Sequence, residues 1–337
     1  GDVDNDGDLD LVDGVHVHIN PGGNMSGTWQ RYTPIGSNDG SLLWDWDGNG
    51  ACEMIVQNLP EVRYYRSSDG GQTWEGRIIG SAEREGHGNA AQGQYVADIE
   101  AGGKLEAVLA SGPDRIVYFV APADPWTGTW RKVEVTGSGD GTHEGIGIGD
   151  IDGDGDLDMA GHVGTSTAQV RWWKNPGDGS GSWQAVNVGR ATEYVDRCRI
   201  ADINGDGQPD IAVTCVYGGD IWWFESEGKG ATWVAHKIGN CGGSAHGLDW
   251  GDLDKDGDID LVSGTTTGSM PCKIWENTDG NGTFQEHTIA TNAGFHNSAK
   301  LADLDQDGDL DIWGYGWSSY RNLIVLRNDG VPPGSEG

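Results

Sequence analysis

A nine-residue acidic loop is the feature that most constrains this sequence. One copy lies in GDIDGDGDLD, residues 149–158, where the loop itself begins at Asp150. Aspartates occupy positions 1, 3, 5 and 9 of the loop, and Gly155 stands at position 6. Alternate carboxylates on a tightly curved backbone converge on one point, and oxygen ligands with a glycine at the bend are typical of Ca²⁺ sites. An EF-hand needs Glu at position 12 and flanking helices, whereas here Gly161 stands at position 12. The short, apolar, glycine-punctuated flanks predict two strands of a hairpin.

The loop recurs along the whole chain. Its first residue falls, for loops 1 to 7, at Asp2, Asp45, Asp98, Asp150, Asp202, Asp252 and Asp303. A period near 50 residues is typical of a propeller or another repeat array in which each unit is one small sheet. We therefore predict an all-β fold, a seven-bladed β-propeller of four-stranded antiparallel blades. We expect one domain over residues 1–337, with a calcium loop between the first and second strands of each blade.

Each repeat contains four strand-like runs. In the fourth repeat these are EGIGIGD, LDMAG, QVRWWKN and WQAVNVG, which we name strands A to D. Branched and aromatic residues favour strands, and the acidic loop joins A to B. The stretch SSDGGQTW at 67–74 matches the Asp-box pattern, a turn between the outer strands of propeller blades. Four short strands cannot bury both faces alone, but seven such units packed together can.

The net charge of -32 is explained mostly by these loops. Of the 53 acidic residues, 29 lie inside them, and 16 tryptophans argue against a disordered acidic chain. Nucleic acid is a poor partner for such a surface. The sequence contains no run of 18 apolar residues, so it predicts no membrane span. Millimolar Ca²⁺ outside cells suits the loops, so we expect a secreted, extracellular protein.

Six of the seven loops are predicted to bind Ca²⁺, more weakly in loop 2, and we expect the ions to pin hairpins rather than to contact a substrate. Their predicted ligands are Asp2, Asp4, Asp6 and Asp10; Asp45, Asp47, Asn49 and Glu53; Asp150, Asp152, Asp154 and Asp158; Asp202, Asn204, Asp206 and Asp210; Asp252, Asp254, Asp256 and Asp260; and Asp303, Asp305, Asp307 and Asp311. Loop 3 has no side-chain ligand at position 5 and carries Lys104 at position 7. We predict that loop 3 is empty and that Lys104 substitutes for the metal.

Five cysteines leave one over if the others form disulfides. Cys198 and Cys215 flank loop 5 and could face each other across its hairpin, and Cys241 and Cys272 fall in two connections of the sixth repeat. Cys52 would then be free. Five buried thiols are the alternative.

The loops GDIDGDGDLDMA, GDLDKDGDIDLV, ADLDQDGDLDIW and ADINGDGQPDIA resemble the FG-GAP/VCBS family of calcium-binding propeller repeats. The resemblance covers essentially the whole chain and is weaker in the second and third repeats. It implies a seven-bladed propeller with Ca²⁺ in the A to B loops. The family includes adhesive, lectin-like and enzymatic members, so it implies no single function.

The two ends depart from a complete ring. Nothing before Asp2 supplies a strand A for the first blade, and after NLIVLRN only the polar DGVPPGSEG remains for a strand D of the seventh. We take the chain to be a mature or trimmed segment, either lacking terminal strands or incompletely closed. The unclosed terminal blade is then a candidate assembly contact.

A set of polar residues precedes the loops and defines the candidate ligand site. Strand A is innermost in a propeller, so residues before it should surround the axis at the end opposite the loops. These residues are Asn38, His87, His143, Tyr194, Asp196, Arg197, His246 and His296, and the B to C connections add His162, Tyr217, Trp317, Tyr320 and Arg321.

Three interpretations of this set compete. Each His could cap its strand, a purely structural role. Alternatively, aromatic platforms and polar side chains could bind a sugar through His143, His162, Tyr194, Arg197, Tyr217, His246, His296 and Trp317. The third interpretation is β-elimination on a uronate glycan, with Arg197 near the carboxylate, His143 or His87 as base and Tyr194 as acid.

The stretch GHGNA, followed by the degenerate loop 3, is similar to a segment of the rhamnogalacturonan lyase propellers, although those have eight blades. This short resemblance implies a polysaccharide lyase as the second possibility. The leading prediction is a binding or scaffold module for carbohydrate or an extracellular protein. Whether the chain is an enzyme stays open at this point.

Overall fold

The computed structural model describes residues 1–14, 16–33, 40–58, 60–83, 93–112, 114–142, 144–163, 168–177, 181–267, 270–293, 295, 299–316 and 322–330. Strands and turns make up these residues. Within them there is no helix of the length and apolar character that crossing a membrane requires.

The first compact unit comprises residues 1–145, 175–183 and 304–306 and contains three antiparallel sheets. Their strands are β1 (Leu11–Val12), β2 (Val17–Ile19) and β3 (Gln30–Tyr32); β4 (Gly40–Trp44), β5 (Glu53–Asn58), β6 (Glu61–Ser67) and β7 (Trp74–Ser81); and β8 (Gln94–Ala97), β9 (Glu106–Ser111), β10 (Arg115–Val120) and β11 (Arg131–Glu134). Within each sheet, every strand pairs with its neighbours in sequence, because tight turns join the short strands.

The second compact unit comprises residues 146–174, 184–303 and 307–337 and contains four sheets of the same meander topology. Their strands are β12 (Gly147–Gly149), β13 (Asp158–His162), β14 (Gln169–Lys174) and β15 (Gln184–Arg190); β16 (Val195–Ala201), β17 (Asp210–Cys215), β18 (Asp220–Glu227) and β19 (Thr232–Asn240); β20 (Ala245–Gly251), β21 (Asp260–Thr265), β22 (Cys272–Asn277) and β23 (Phe284–Ala290); and β24 (Lys300–Ala302), β25 (Asp311–Tyr315) and β26 (Leu323–Leu326).

Apolar side chains hold consecutive sheets together face to face. Between the fourth and fifth sheets, for example, Trp172 and Val170 pack with Val213 and Phe224 in one buried cluster. Comparable clusters lie between the other consecutive sheets within each unit. In the fourth sheet, the second strand β13 is buried throughout and the third strand β14 is buried or half-buried, whereas the outermost strand β15 is largely exposed. These are the features of propeller blades, which bury both faces of their central strands against neighbouring blades.

The predicted all-β propeller fold with seven antiparallel blades is confirmed. The four runs predicted in the fourth repeat correspond to β12, β13, β14 and β15, and loop 4 joins the first two of them. The first and seventh sheets have three strands each among the described residues, and the other five have four. Residues 1–337 forming one domain stays a prediction.

The Asp-box turn lies where it was predicted, between the outer strands β6 and β7. Asp69 accepts hydrogen bonds from the Thr73 amide at 2.8 Å and from its hydroxyl at 2.6 Å, and Ser67 Oγ accepts one from the Gly71 amide at 2.9 Å. The Trp74 indole donates to the Gly71 carbonyl oxygen at 2.9 Å. Side chains therefore satisfy the turn's backbone locally.

The suggested pairing of Cys198 with Cys215 is wrong, because all five cysteines are unpaired thiols. In the hairpin of β16 and β17, Cys198 stands opposite Val213, and Cys215 stands opposite Val195. Cys241 and Cys272 are both buried without a disulfide, and the Cys241 thiol contacts Ser263 Oγ at 3.3 Å. The alternative of five buried thiols holds for four of them, whereas Cys52 is only half-buried.

Candidate functional site

The acidic loops share one backbone conformation, which the glycine at position 6 makes possible. Its φ angle is positive in all seven loops: 97° at Gly7, 99° at Gly50, 70° at Gly103, 98° at Gly155, 83° at Gly207, 98° at Gly257 and 90° at Gly308. Residues with a Cβ rarely adopt this conformation. The glycine that the sequence places at the bend is therefore a conformational requirement.

The carboxylate at position 1 organises the tip of each loop. In loop 4, Asp150 accepts hydrogen bonds from the amides of Asp154 at 3.1 Å and Gly155 at 3.0 Å. The corresponding bond to the position-6 glycine occurs in every loop, from 2.8 to 3.1 Å. The loop tip is thus formed by the chain's own hydrogen bonds.

The carboxylate at position 9 ties the loop to the third strand. In loop 6, Asp260 accepts the Leu253 amide at 2.9 Å with one oxygen and the Asn277 amide at 2.9 Å with the other. Loops 1 and 5 repeat both bonds through Asp10 and Asp210. This residue is therefore an anchor of the hairpin as well as a possible metal ligand.

Carboxylates from positions 1, 3 and 9 converge in several loops. The ligand atoms of each set lie within 4.8 Å of one another. The sets are Asp150, Asp152 and Asp158; Asp252, Asp254 and Asp260; Asp45, Asp47 and Glu53; and, with position 5 instead of position 9, Asp2, Asp4 and Asp6. Several oxygens of the position-1 and position-3 carboxylates are buried and have no hydrogen-bond partner in the described part of the chain, namely Oδ1 of Asp4, Asp152, Asp252 and Asp303. A buried acceptor without a donor is a costly arrangement that a bound cation would relieve.

Burial raises the pKa of the anchoring carboxyls. The pKa of Asp10 and of Asp260 is raised to about 6, and that of Glu53 and of Asp210 to about 7, in each case first by burial. Nearby loop carboxylates raise these values further, while backbone hydrogen bonds lower them. Without a cation, the loops therefore bring negative charges together at a cost.

Loop 3 differs from the others, as the sequence predicted. Glu100, at position 3, accepts a hydrogen bond from the Tyr118 hydroxyl at 2.8 Å and pairs with the Arg131 guanidinium. Glu106 accepts the Ile99 amide at 2.8 Å. The side chain that pairs with a carboxylate of this loop is Arg131 from β11. Lys104, which was predicted to take the place of the metal, is exposed.

In loop 4, a lysine takes part in the charge balance. The Lys174 ammonium pairs with Asp152 and lies 2.9 Å from Asp154 Oδ2, which raises the pKa of Lys174. Lys174 ends β14, so the third strand delivers the cation to positions 3 and 5 of the loop.

A second polar site lies on the first strands of the fifth, sixth and seventh sheets. Arg199 on β16 donates from Nε to Asp249 on β20 at 2.9 Å, and Lys300 Nζ of β24 lies 3.9 Å from the other oxygen of Asp249. The Leu301 amide donates to that same oxygen at 3.1 Å. These three strands belong to different sheets and share no backbone hydrogen-bond ladder. The charged row Arg199–Asp249–Lys300 therefore links them through side chains.

A parallel row lies three residues earlier on the same strands. Asp196 contacts the Arg197 guanidinium at 2.6 Å through Oδ1 and His246 Nδ1 at 2.6 Å through Oδ2. Ser244 Oγ lies 3.2 Å from His246 Nε2 and donates to the Val216 carbonyl oxygen at 2.6 Å. Asp196 is thereby buried between two basic side chains, which compensate its charge.

Bulges at the start of both strands orient these side chains. The register shifts by one residue between Val195 and Cys198 on β16 and between Ala245 and Gly247 on β20. The Arg197 amide, displaced from the ladder, donates to Thr214 Oγ1 at 3.2 Å. A bulge commonly re-aims a side chain, and here the displaced residues include Asp196 and His246.

Aromatic rings cover this end of the fifth sheet. Tyr194 packs edge-on against His162 with ring centroids 5.3 Å apart, and its ring lies 6.0 Å from that of Tyr217. His162 is fully buried, while Tyr217 is 74% exposed. Val216 joins this group to the polar row, because its amide donates to the Tyr194 carbonyl oxygen at 2.9 Å and its own carbonyl accepts Ser244. We call Tyr194, Tyr217, Ser244, His246 and Asp196 the tyrosine site.

The structure brings together five of the eight residues predicted to bind a ligand, namely His162, Tyr194, Arg197, Tyr217 and His246. The remaining predicted residues, His143, His296, Trp317 and the alternative base His87, lie outside the described residues, as do Asn38, Tyr320 and Arg321. Their roles stay predictions.

Sequence reasoning missed the charged row. Arg199, Asp249 and Lys300 each stand three residues before the first aspartate of their loop, so a comparison at that fixed offset would have revealed them. Ser244 carried no such signal, because its contact with His246 depends on the bulge of β20.

The meander sheets, with acidic loops between first and second strands, define a β-propeller protein. The sequence model of the FG-GAP-like repeat matches residues 162–213 and 202–263, so this part of the chain has FG-GAP-like repeats. No curated protein sequence gives a significant match.

Solved structures share this fold at low sequence identity. One is an Agrocybe aegerita lectin described for its specific recognition of non-reducing terminal N-acetylglucosamine; its identity is 19%, its TM-score 0.62, and the match covers 97% of this chain and 89% of that one. Two others are BBS1N in complex with ARL6DN, soaked with lead or mercury, both 10% identical. Their TM-scores are 0.60 and 0.58, and the matches cover 96% and 95% of this chain and 89% and 88% of those.

Proposed function

We propose that this chain is a calcium-stabilised carbohydrate-binding module that works outside the cell, and that a sugar binds at the tyrosine site. The observation that carries the proposal is the exposed Tyr217 ring beside Tyr194, next to the polar groups of Ser244 and His246. Sugar sites combine an aromatic face with a few fixed polar groups, and this arrangement has both.

The two parts of the site have separate tasks. The Tyr217 ring would pack against the apolar face of a pyranose, because its exposed surface lacks cover in the described part of the chain. The Ser244 oxygen, as an acceptor, and the Tyr194 hydroxyl would bond to sugar hydroxyls, while His246, engaged by Asp196 and Ser244, would hold Ser244 in position. Fixed polar groups reject an analogue that lacks the matching hydroxyl, so specificity would come from them. The fold shared with a lectin that recognises terminal N-acetylglucosamine supports a sugar as the ligand class.

The acidic loops fit Ca²⁺ by their chemistry. They offer only oxygen ligands, their tips are preorganised by position 1, and buried oxygens at positions 1 and 3 accept no hydrogen bond among the described residues. The ions would be held in loops 1, 2, 4, 5, 6 and 7, and would stabilise the hairpins. Extracellular calcium modules have dissociation constants of about 10⁻⁴ to 10⁻³ M, which supports a location where Ca²⁺ is abundant.

A polysaccharide lyase is the second candidate. Tyr194 lies in the tyrosine site, and three cationic side chains, Arg197, Arg199 and Lys300, lie on the strands beside it, an unusual concentration in so acidic a chain. Arg197 is only 5% exposed and is held by Asp196, which leaves it poorly placed to meet a carboxylate. Binding without turnover is therefore the function we favour.

Glycan binding by the calcium-saturated protein tests the proposal. We expect a glycan array to identify a bound sugar, and Tyr217→Ala to weaken its binding at least about tenfold, equivalent to about 1.4 kcal/mol. Trp44→Ala, which removes an aromatic ring 42% exposed in the first unit, is the matched control and should bind normally. Equal losses in both variants, or no bound glycan, would refute the site.

A second assay separates binding from catalysis. The protein is incubated with pectic, ulvan-type and alginate polymers plus Ca²⁺, and the absorbance of unsaturated uronates is followed. We expect no increase. A steady increase that Tyr194→Phe abolishes would replace the binding module with the lyase.

A further inference from the structure

A histidine and aspartate cluster stands apart from the acidic loops and from the tyrosine site. Asp13, His16 and His18 lie in the first sheet, where a tight turn joins β1 to β2. The Asp13 amide donates to the His16 carbonyl oxygen at 3.1 Å, and the His16 amide donates to Asp13 Oδ1 at 3.0 Å. The turn therefore fixes the carboxylate and the first histidine together.

The strand places the second histidine on the same side. Residues i and i+2 of a β-strand face the same way, and Val17, between the two histidines, is fully buried in the opposite direction. His16 Nδ1 lies 3.0 Å from Asp13 Oδ1, and His18 Nε2 lies 2.7 Å from Asp13 Oδ2. The ring centroids are 5.9 Å apart.

Burial makes the cluster unlike a surface ion pair. The Asp13 side chain is 1% exposed and that of His18 is 9% exposed, while His16 is 21% exposed. Burial raises the pKa of Asp13, but the hydrogen bond and charge of His18, together with His16, lower it by more. A buried anion thus faces two imidazole nitrogens, with access from solvent on the His16 side.

Other histidines show what simple pairing looks like here. His236 lies 2.8 Å from Glu225, and His287 lies 2.6 Å from Glu276, each a single imidazole against a single carboxylate across adjacent strands. At Asp13, two imidazoles share one carboxylate, and all three ligand atoms lie within 4.8 Å of one another. That separation suits three ligands around one ion at about 2.0–2.2 Å.

We propose that Asp13, His16 and His18 form a site for a late first-row divalent transition ion, Zn²⁺ foremost. Two imidazole nitrogens and one carboxylate oxygen are the donors that such ions prefer, whereas the all-oxygen loops suit Ca²⁺. The ion would bind the ring nitrogens that face Asp13, so metal and proton compete for these nitrogens. Three protein ligands leave one position open toward solvent for water or for a ligand group.

Cobalt provides a direct probe of the site. With the loops saturated by Ca²⁺, the full chain is titrated at neutral pH with Co²⁺, and the visible absorption of four- or five-coordinate cobalt is recorded. We expect one tight equivalent, displaced by Zn²⁺. His16→Gln should weaken it by at least the roughly 10 to 100-fold that loss of an outer-shell partner typically costs, and the His16→Gln, His18→Gln double variant should abolish it.

Matched substitutions decide the outcome. His236→Gln and His287→Gln remove histidines from simple pairs and should leave the cobalt spectrum unchanged. His16 is the more exposed of the two ligands, so the single variant keeps the test valid if the double variant does not fold. A wild-type spectrum of octahedral cobalt only, or equal binding by His16→Gln and His236→Gln, would overturn the site.

Discussion

Aspartates with the same spacing do different work in this chain. At position 9, Asp260 is tied by two backbone amides before any ion binds, whereas Asp252 at position 1 and Asp152 at position 3 keep a buried oxygen without a hydrogen bond among the described residues. The first kind of carboxylate holds the hairpin together. In our proposal, the second kind of carboxylate binds Ca²⁺.

Lys300 shows how one residue responds to its surroundings. Its side chain is 32% exposed, yet burial first, and then repulsion from Arg199, lower its pKa to about 8, against an attraction from Asp249. Arg197 lowers it further. The charged form of Lys300 is therefore less favourable in the folded state than in the unfolded chain.

Stability should therefore rise with pH in an alkaline window. Between the folded pKa of about 8 and the ordinary lysine pKa of 10.5, the unfolded chain binds more protons than the folded one, so the free energy of unfolding increases with pH. Urea unfolding of the wild type and of Lys300→Met, both in excess Ca²⁺, gives the difference in their free energies of unfolding at each pH. This difference isolates the contribution of Lys300. A difference that stays flat from pH 8 to 10.5 would contradict the assignment.

At the scale of the element, the acidic hairpin is specified by its glycine as much as by its carboxylates. Gly155 has a φ of 98°, and a Cβ placed there would meet nothing within 4 Å, so only the backbone demands glycine. Gly102, in loop 3, is equally open but has an ordinary backbone conformation.

This contrast gives a clean test. Gly155→Ala should lower the free energy of unfolding by about 1–2 kcal/mol, because a Cβ at positive φ is strained. Gly102→Ala should be neutral or slightly stabilising, since it only reduces the freedom of the unfolded chain. Chemical denaturation at saturating Ca²⁺ measures both, and equal effects would show that the conformation of the bend does not matter.

Within the second unit, cooperation between elements comes from the first strands of its sheets. The row Arg199–Asp249–Lys300 crosses three sheets, and apolar clusters fill the spaces between consecutive sheets. In unit 1 the cores are likewise shared between sheets. A sheet in either unit therefore lacks a complete core of its own.

For the molecule as a whole, calcium removal is the decisive stability experiment. Each ion that binds only the folded state adds about 2.7 kcal/mol at one hundred times its dissociation constant. Chelation with EDTA, which also removes Zn²⁺, should therefore lower the melting temperature by on the order of 10 °C, and excess Ca²⁺ without added Zn²⁺ should restore it. An unchanged melt would remove the calcium assignment while leaving the zinc-class site and the tyrosine site to their own tests.

Much of the fold follows from local sequence. The spacing of acidic residues and the position-6 glycine predict the loops because their hydrogen bonds lie within nine residues. The runs of branched and aromatic residues predict the strands, and the repeat length predicts the blades. Tyr194 and His246 were found because they stand shortly before the loops, and Tyr217 because it lies in a B to C connection.

Only the tertiary structure decided how distant residues meet. The charged row joins residues about 50 positions apart, and the bulges of β16 and β20 set which side chains contact His246. Register placed Cys198 opposite Val213, and a turn after β1 gathered Asp13 and His16 against His18. Local patterns are set by backbone preferences that the sequence states directly. Contacts between strands depend on register and packing, which are fixed only when the sheets assemble.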